Sequence, residues 1–451
     1  MAVVIAAPAS GSGKTLLSLA LVSWARSLGR VIQPFKVGPD YLDPQLLSAA
    51  AGRPCRNLDS NLCGDDWVLR AFHGYSRSAD LALVEGVMGL FDGIGSGEQG
   101  STAATARLLN LPVVLVVDAG GQAASLGALV RGFRDHDPQL KLAGVVLNRV
   151  SSARHRELLA EVLSSIHVPL LGCLPRTDDL ALPSRHLGLA PAHELQNPDQ
   201  RMQRWAALAT THLDLQRLEP LLAAPPIGSD PLADIPHHSG EPLPVAVASD
   251  DAFHFRYQET GDLLEHLGMP LLPWSPLADE PLPEEARGVI LPGGFPEQYA
   301  EQLSHCQRSL HGLRQAAGRR PIYAECGGML LLGQSLTGLD GAPRAMAGLL
   351  PFQASKGRLQ VGYRTLRPQR NGLLTRQHEE LRGHEFHRWS LAPGPSPADR
   401  ALWEIEGWRT ERTTEGWGDQ TLHASWVHLH WASSTTICSR WRDALAAEPN
   451  R

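Results

Sequence analysis

The sequence predicts an α/β protein of two tandem domains, and three observations carry that expectation. Short apolar runs alternate with helical periods in both halves. A glycine-rich turn, Ala9-Ser10-Gly11-Ser12-Gly13-Lys14-Thr15, follows the first apolar run. Much later, Tyr323-Ala324-Glu325-Cys326-Gly327-Gly328-Met329 sets a cysteine between a strand and a helix. At 451 residues the chain exceeds one comfortable core, so two domains of about 200 residues are expected.

In the first half the runs at 3–7, 31–35, 81–84, 113–117, 143–147 and 168–173 suit buried parallel strands. Segments 15–28, 102–109, 123–134 and 154–165 read as helices. The period weakens after Pro191; 196–222 reads as mostly helical and 223–244 is proline-rich, which sets the boundaries at 1–195, 196–243 and 244–448. A second alternation follows, with strands at 245–248, 288–291 and 322–324, a helix at 261–267, and another helix just beyond Cys326.

Forty-one Lys plus Arg against forty-seven Asp plus Glu give a net charge of −6, with no basic block to follow a phosphate backbone, so nucleic acid is not an expected partner. No run approaches the roughly 18 apolar residues of a membrane span. The six cysteines include no Cys-x-x-Cys, and the first apolar run leads straight into the glycine loop without the basic start of a signal peptide, so a reducing cytoplasmic setting is expected.

Ser10, Gly11, Ser12, Gly13, Lys14 and Thr15 form a phosphate-binding P-loop pattern. Glycines let backbone amides curl around phosphate, Lys14 reaches the terminal phosphates, and the Thr15 hydroxyl can ligate Mg2+. Pro8 stands where the first loop glycine is usual. Two acidic segments supply what such a loop lacks: Lys36–Pro44 after the second strand and Glu85–Gly93 after the third. Asp40 and Glu85 are expected in the metal shell with Thr15, while Asp43 and Asp92 orient the acceptor or a second ion. Asp118, Asn148 and Arg149, at later strand ends, are candidates for nucleotide contact or for simple turn capping.

In the second half, Leu291-Pro292-Gly293-Gly294-Phe295-Pro296-Glu297 leaves a strand with two glycines, so an amide near Gly294, with that of Gly327, can face an oxyanion. Cys326 reads as a nucleophile whose thiol a helix N-terminus would acidify. It needs a base, and His428 in His423-Ala424-Ser425-Trp426-Val427-His428-Leu429-His430 is the candidate, with His430 on the same strand face if the strand is regular. His384-Glu385-Phe386-His387 lacks the partners of a zinc set and reads as substrate-facing or structural.

These residues resemble the cobyrinate a,c-diamide synthase family, which joins a dethiobiotin-synthetase-like ATP domain to a class I glutamine amidotransferase α/β domain. The matching segments are Ser10–Thr15, Gly38–Pro44, Glu85–Gly93, Pro292–Glu297, Glu325–Met329, Gly383–His387 and Ser425–Trp431, spanning nearly the whole chain. The resemblance implies ATP- and glutamine-dependent amidation of the a and c acetates of a corrinoid through acyl phosphates, with Cys326 and His428 hydrolysing glutamine. It further implies that Asp40, Leu42, Asp43, Glu85 and Asp92 shape corrinoid recognition, activation or the order of amidation, and it allows a homodimer. Many class I glutaminases place a Glu two residues after the catalytic His, where this chain has His430, so a Cys326–His428 dyad is expected. Ammonia must escape both water and protonation, which calls for a protected route to the acyl phosphate.

Alternatives remain open at this point: hydrogenobyrinate or a nickel sirohydrochlorin as acceptor, other corrinoid side chains, a nucleotide-switched partitioning or scaffold ATPase, or a synthase aminating a nucleotide. A second domain with a working glutaminase would exclude the switch.

Overall fold

The computed structural model describes residues 2–176, 184–185, 188–189, 191–238, 240–395 and 401–447. Its internal contacts divide the chain into two units, Met1–Ala233 and Asp234–Arg451.

The first unit is a parallel α/β sheet. In chain order it runs β1 (Val3–Ala6), α1 (Lys14–Ser27), β2 (Ile32–Val37), α2 (Leu42–Ala51), β3 (Arg56–Leu58), α3 (Ser60–Cys63), α4 (Asp65–Tyr75), β4 (Leu81–Glu85), α5 (Thr102–Leu108), β5 (Pro112–Asp118), α6 (Ser125–His136), β6 (Lys141–Val150), α7 (Ala153–Ser165) and β7 (Leu170–Pro175). A two-residue ribbon, β8 (Ser184–Arg185) with β9 (Gly188–Leu189), precedes α8 (Pro198–His212) and α9 (Leu215–Leu222). The large sheet has the order β3-β2-β4-β1-β5-β6-β7. Its central strands are apolar on both faces because helices cover both faces, which is why they read as continuous runs in the sequence.

Residues 196–222 are helical as the sequence predicts, yet they do not stand apart as a connector. Trp205 of α8 and Leu218 of α9 are buried in the same core as Leu17 and Leu21 of α1, and the Asp214 amide donates to Leu171 O at 2.8 Å. Their apolar face is long enough to cover the sheet, which sequence position alone could not reveal. The contact division falls between Ala233 and Asp234, inside the proline-rich stretch 223–244 and beyond both helices.

The second unit comprises β10 (Val245–Ala248), α10 (Gln258–His266), β11 (Leu271–Trp274), β12 (Gly288–Leu291), α11 (Ala300–His305), α12 (Gln307–Ala316), β13 (Ile322–Glu325), α13 (Gly327–Leu330), β14 (Ser335–Thr337), β15 (Pro343–Ala345), β16 (Gln353–Pro368), β17 (Leu381–Ala392), β18 (Ala401–Glu406), β19 (Thr413–Gly418), β20 (Leu422–Ser425), β21 (Val427–His428) and α14 (Thr435–Ala446). Parallel strands β11-β10-β12-β13-β20 continue into an antiparallel half, β19-β18-β16, with β17 pairing β16 and β21. Among the described residues no helix is long and apolar enough to cross a membrane.

Candidate functional sites

In the first unit the glycine loop leaves β1 between β4 and β5, at the carboxyl edge where parallel sheets bind ligands. Gly13 caps α1 with φ +112°, and a Cβ there would collide with Asn148 Nδ2. Only glycine lets the loop close on Asn148, whose amide donates to Ser12 O at 2.9 Å. Ser12 Oγ in turn donates to Ala9 O at 2.9 Å, so the loop is held from inside. Lys14 Nζ donates to Met88 O at 2.5 Å, and Thr15 Oγ1 donates to Glu85 Oε1 at 2.9 Å.

The residue that organises this edge is Lys36, which the sequence reading left without a role. Register pairs Lys36 of β2 directly with Glu85 of β4. Its buried ammonium donates to Glu85 Oε1 at 2.8 Å and Gly86 O at 3.2 Å, bonds Asp43 more tightly still, and lies 4.0 Å from Asp40. Burial disfavours that charge, but Asp43, Glu85 and Asp40 together hold its pKa well above the ordinary lysine value. Burial also raises the Asp43 carboxyl, and there the charge and hydrogen bond of Lys36 win and keep it below the usual range. For Asp40 burial and the Asp43 charge dominate, pushing it up to about 6. Burial likewise raises Glu85, with Lys36 opposing.

The structure therefore brings Lys14, Thr15, Asp40, Asp43 and Glu85 to one edge. Asp40 Oδ1 also accepts the Leu42 and Asp43 amides, at 2.9 and 3.0 Å, and fixes the start of α2, where Leu42 is buried. Asp92 Oδ2 accepts the Gly89 amide at 2.8 Å and adds to the field on Lys14. Asp118 pairs with Arg149, next to Asn148 on the neighbouring strand end. Among the described residues no group of three His, Cys, Asp or Glu forms a metal cage. The adjacent hydroxyl of Thr15 and carboxylate of Glu85 are nonetheless the hard oxygen donors that Mg2+ takes when phosphates and water complete its shell.

In the second unit Cys326 follows β13 with φ +46° and ψ −114°, a conformation that non-glycine residues rarely adopt. Its amide donates to Ser425 O at 2.7 Å, anchoring the elbow to β20. A Cβ at Gly327 would meet Gly294 O at 2.8 Å and Gly294 N at 3.0 Å, so both predicted oxyanion segments lie against each other. A Cβ at Gly293 would meet His428 Cε1 at 2.5 Å, which places the imidazole beside the same turn. Cys326 with Gly327, Gly294 and His428 thus converge from three separate stretches of chain.

Two expectations require correction. The thiol of Cys326 is not acidified by the following helix, which is only four residues long. Burial pushes its pKa far up, with Glu297, Glu325 and Glu385 adding to the effect and the Gly327 amide opposing, so the resting sulfur is a thiol. Nor do His428 and His430 share a regular strand: β21 ends at His428, and His430 lies 3.7 Å from Glu259 with its ring 4.4 Å from that of Tyr257. His428 has its own acid. Nδ1 lies 3.2 Å from Glu325 Oε2, a residue passed over because an acid was sought after the histidine rather than before the cysteine.

The predicted His384–His387 cluster is built into β17. His387 stacks on Trp426 at 3.8 Å and bonds Glu385 at 2.7 Å, while Arg364 holds the other Glu385 oxygen at 2.6 Å. His384 faces His428 in register, and burial, with the charges of His428 and Arg364, lowers its pKa to about 3.

Comparison with known proteins matches residues 3–189 to the CobQ/CobB/MinD/ParA nucleotide binding domain and 244–436 to the CobB/CobQ-like glutamine amidotransferase domain. The chain is 42% identical to the cobyrinate a,c-diamide synthase of Synechocystis sp., over 99% of this chain and 94% of that one. It is 42% identical to that of Gloeobacter violaceus, over 98% and 96%. It is 39% identical to the hydrogenobyrinate a,c-diamide synthase of Streptomyces coelicolor, over 97% and 96%.

Proposed function

The chain belongs to the cobyrinate a,c-diamide synthase family, and from that premise we propose that it amidates the a and c acetate carboxylates of cobyrinate, using ATP and the side-chain nitrogen of glutamine. The observation that carries this reading is the pairing, in one chain, of the phosphate loop and its Lys36–carboxylate cluster with the Cys326 elbow and its histidine. A nucleotide-driven switch has no use for the second site.

The chemistry follows from what each edge holds. A carboxylate cannot expel oxide, so it must first take the terminal phosphoryl group of ATP. Lys14 and the loop amides bind the phosphates and balance the moving charge. Thr15 and Glu85 would hold Mg2+, which supplies charge neutralisation to the phosphates when bound. Asp40, whose Oδ1 is committed to α2, together with Lys36, Asp43, Leu42 and Asp92, we assign to the acceptor side. In the second unit Cys326 gives its proton to His428 and attacks the glutamine amide carbon. Amides near Gly294 and Gly327 receive the oxyanion; the C–N bond then breaks as the imidazolium protonates the departing ammonia. Water hydrolyses the thioester to glutamate, and ammonia displaces phosphate from the acyl phosphate. ATP and a free thiol both suit the cytoplasm.

The test is incubation with cobyrinate or hydrogenobyrinate, ATP, Mg2+ and glutamine, with mass analysis of the products. Two amidations of cobyrinate are expected, and preferred turnover of hydrogenobyrinate would reassign the acceptor. Cys326→Ala should lose glutamine-dependent synthesis while keeping synthesis from free ammonia; equal loss with both donors would contradict two separable sites.

A further inference from the structure

Resting on Cys326 and His428 as the glutaminase pair, we propose that Glu325 is the positioning residue of that pair. Acid and nucleophile are then consecutive residues at the end of one strand.

The geometry is specific. Glu325 is nearly buried, and both carboxylate oxygens are occupied. Oε2 faces His428 Nδ1 at 3.2 Å; Oε1 accepts the Leu429 amide at 2.9 Å and the Tyr323 hydroxyl. One carboxylate thus fixes the imidazole and also the backbone immediately after it, from a strand whose next residue is the nucleophile. Three other nearby carboxylates are engaged elsewhere: Glu385 with Arg364 and His387, Glu415 with Trp403, Ser425 and the Trp426 amide, and Glu259 beside His430.

A carboxylate only accepts, so the imidazole nitrogen facing it carries the proton. Nδ1–H toward Glu325 leaves the Nε2 lone pair to take the thiol proton of Cys326. That same proton passes from Nε2 to the leaving ammonia, while Glu325 stays ionised and balances the imidazolium between the two transfers. The need is acute here because burial keeps the resting thiol protonated. Position +2 after His428 cannot supply the acid, since it is His430, which has no carboxylate and lies beside Glu259 instead.

Other titratable groups face this assembly: Tyr323 from β13 and Cys326 just beyond it, Glu297 and Glu385, whose charges act on the thiol, His384 from β17, and Arg256 and Tyr257, which with Glu325 line a small cavity of about 20 Å³ ahead of α10. That volume holds about one water-sized molecule. Readouts must therefore isolate His428.

In the full-length protein with ring-15N histidine, the His428 signals, assigned by loss in His428→Gln, should report the neutral Nδ1–H tautomer at alkaline pH. An Nε2–H tautomer overturns the proposal without any change at Glu325. Glu325→Gln keeps an oxygen for Leu429 and Tyr323 but can present an amide N–H to Nδ1, stabilising the wrong tautomer. We expect glutaminase kcat to fall by about 100-fold or more with little change in the KM for glutamine. The acid limb of kcat/KM should move to lower pH because the imidazolium loses its anion, and ammonia-dependent synthesis should persist. Glu325→Asp should recover part of the rate. A loss below about tenfold with an unmoved acid limb defeats the assignment. Glutamate release surviving in Cys326→Ala would instead defeat the underlying glutaminase pair, so the two failures are distinguishable.

Discussion

At the end of β4 a buried ammonium is ringed by carboxylates, whereas just beyond β13 a buried thiol sits near carboxylates whose charge makes the sulfur hold its proton more tightly. Burial opposes the charged form in both places. In the first unit, ion pairs with short hydrogen bonds overcome it and Lys36 stays charged. In the second, no cation is fixed beside the sulfur by any described contact, and burial wins. The phosphate edge is thus organised by charge before its ligands arrive. The thiol edge is organised by backbone, through the strained φ of Cys326 and the close approach of Gly327 to Gly294, and generates charge only during turnover.

The strongest way to break that comparison is to remove the buried cation. Lys36→Met leaves Asp43 and Glu85 with an uncompensated buried charge, a change that typically costs about 3–5 kcal/mol. The expected outcome is a lower unfolding temperature for the first unit and loss of synthesis with either nitrogen donor, while glutamine hydrolysis in the second unit continues. Calorimetry together with both synthesis assays checks this, and a variant as stable as the parent would mean that the three carboxylates do not depend on Lys36.

The neutral side can be sharpened through Glu297. Burial raises its carboxyl pKa from an ordinary 4.5 to about 7. A raised acid holds its proton more tightly folded than unfolded. Its contribution is therefore complete below 4.5 and is lost as pH climbs through about 7. The gap corresponds to about 3 kcal/mol at most. Glu297→Gln should flatten the decline in stability of the second unit across that window. Because Glu297 also raises the Cys326 thiol, the variant should be alkylated faster at fixed pH. Parallel stability curves for parent and variant would show that Glu297 ionises as it would in water.

How much of this was legible beforehand depended on whether a feature is local in the chain. The glycine loop and the Cys326 elbow are local: each needs a strand, a tight turn and a helix in succession, and a few residues encode all three. Lys36 and Glu325 were in plain view but silent. Lys36 acquires meaning only when β2 pairs with β4 in the register that sets it against Glu85. Glu325 acquires meaning only when β21 returns beside β13 after about a hundred residues. The antiparallel half between β14 and β19 escaped for a different reason. Its longest strand, β16, mixes exposed and buried positions and lacks the continuous apolar runs that betray parallel strands. Helices α8 and α9 were read correctly as helices, but which core they cover is a tertiary fact.

The smallest expected effect is also the most direct measure of how the phosphate edge awaits its ligand. Burial, and then the charge of Lys36, lower the Lys14 ammonium to about 8, against the pull of Glu85, Asp43 and Asp92. In the free protein its Nζ rests on Met88 O, a neutral partner that does little to hold the proton. A bound terminal phosphate brings negative charge to that nitrogen and favours the charged form, so the lysine must regain a proton wherever it had lost one. Near pH 9 nucleotide binding should therefore take up about one proton, falling toward none near pH 7, where Lys14 is already charged in both states. Titration calorimetry of ATP binding in buffers of different ionisation enthalpy reads that number. Lys14→Met should abolish the uptake near pH 9, and an uptake that survives the substitution, or that is equal at both pH values, would move the titrating group elsewhere in the site.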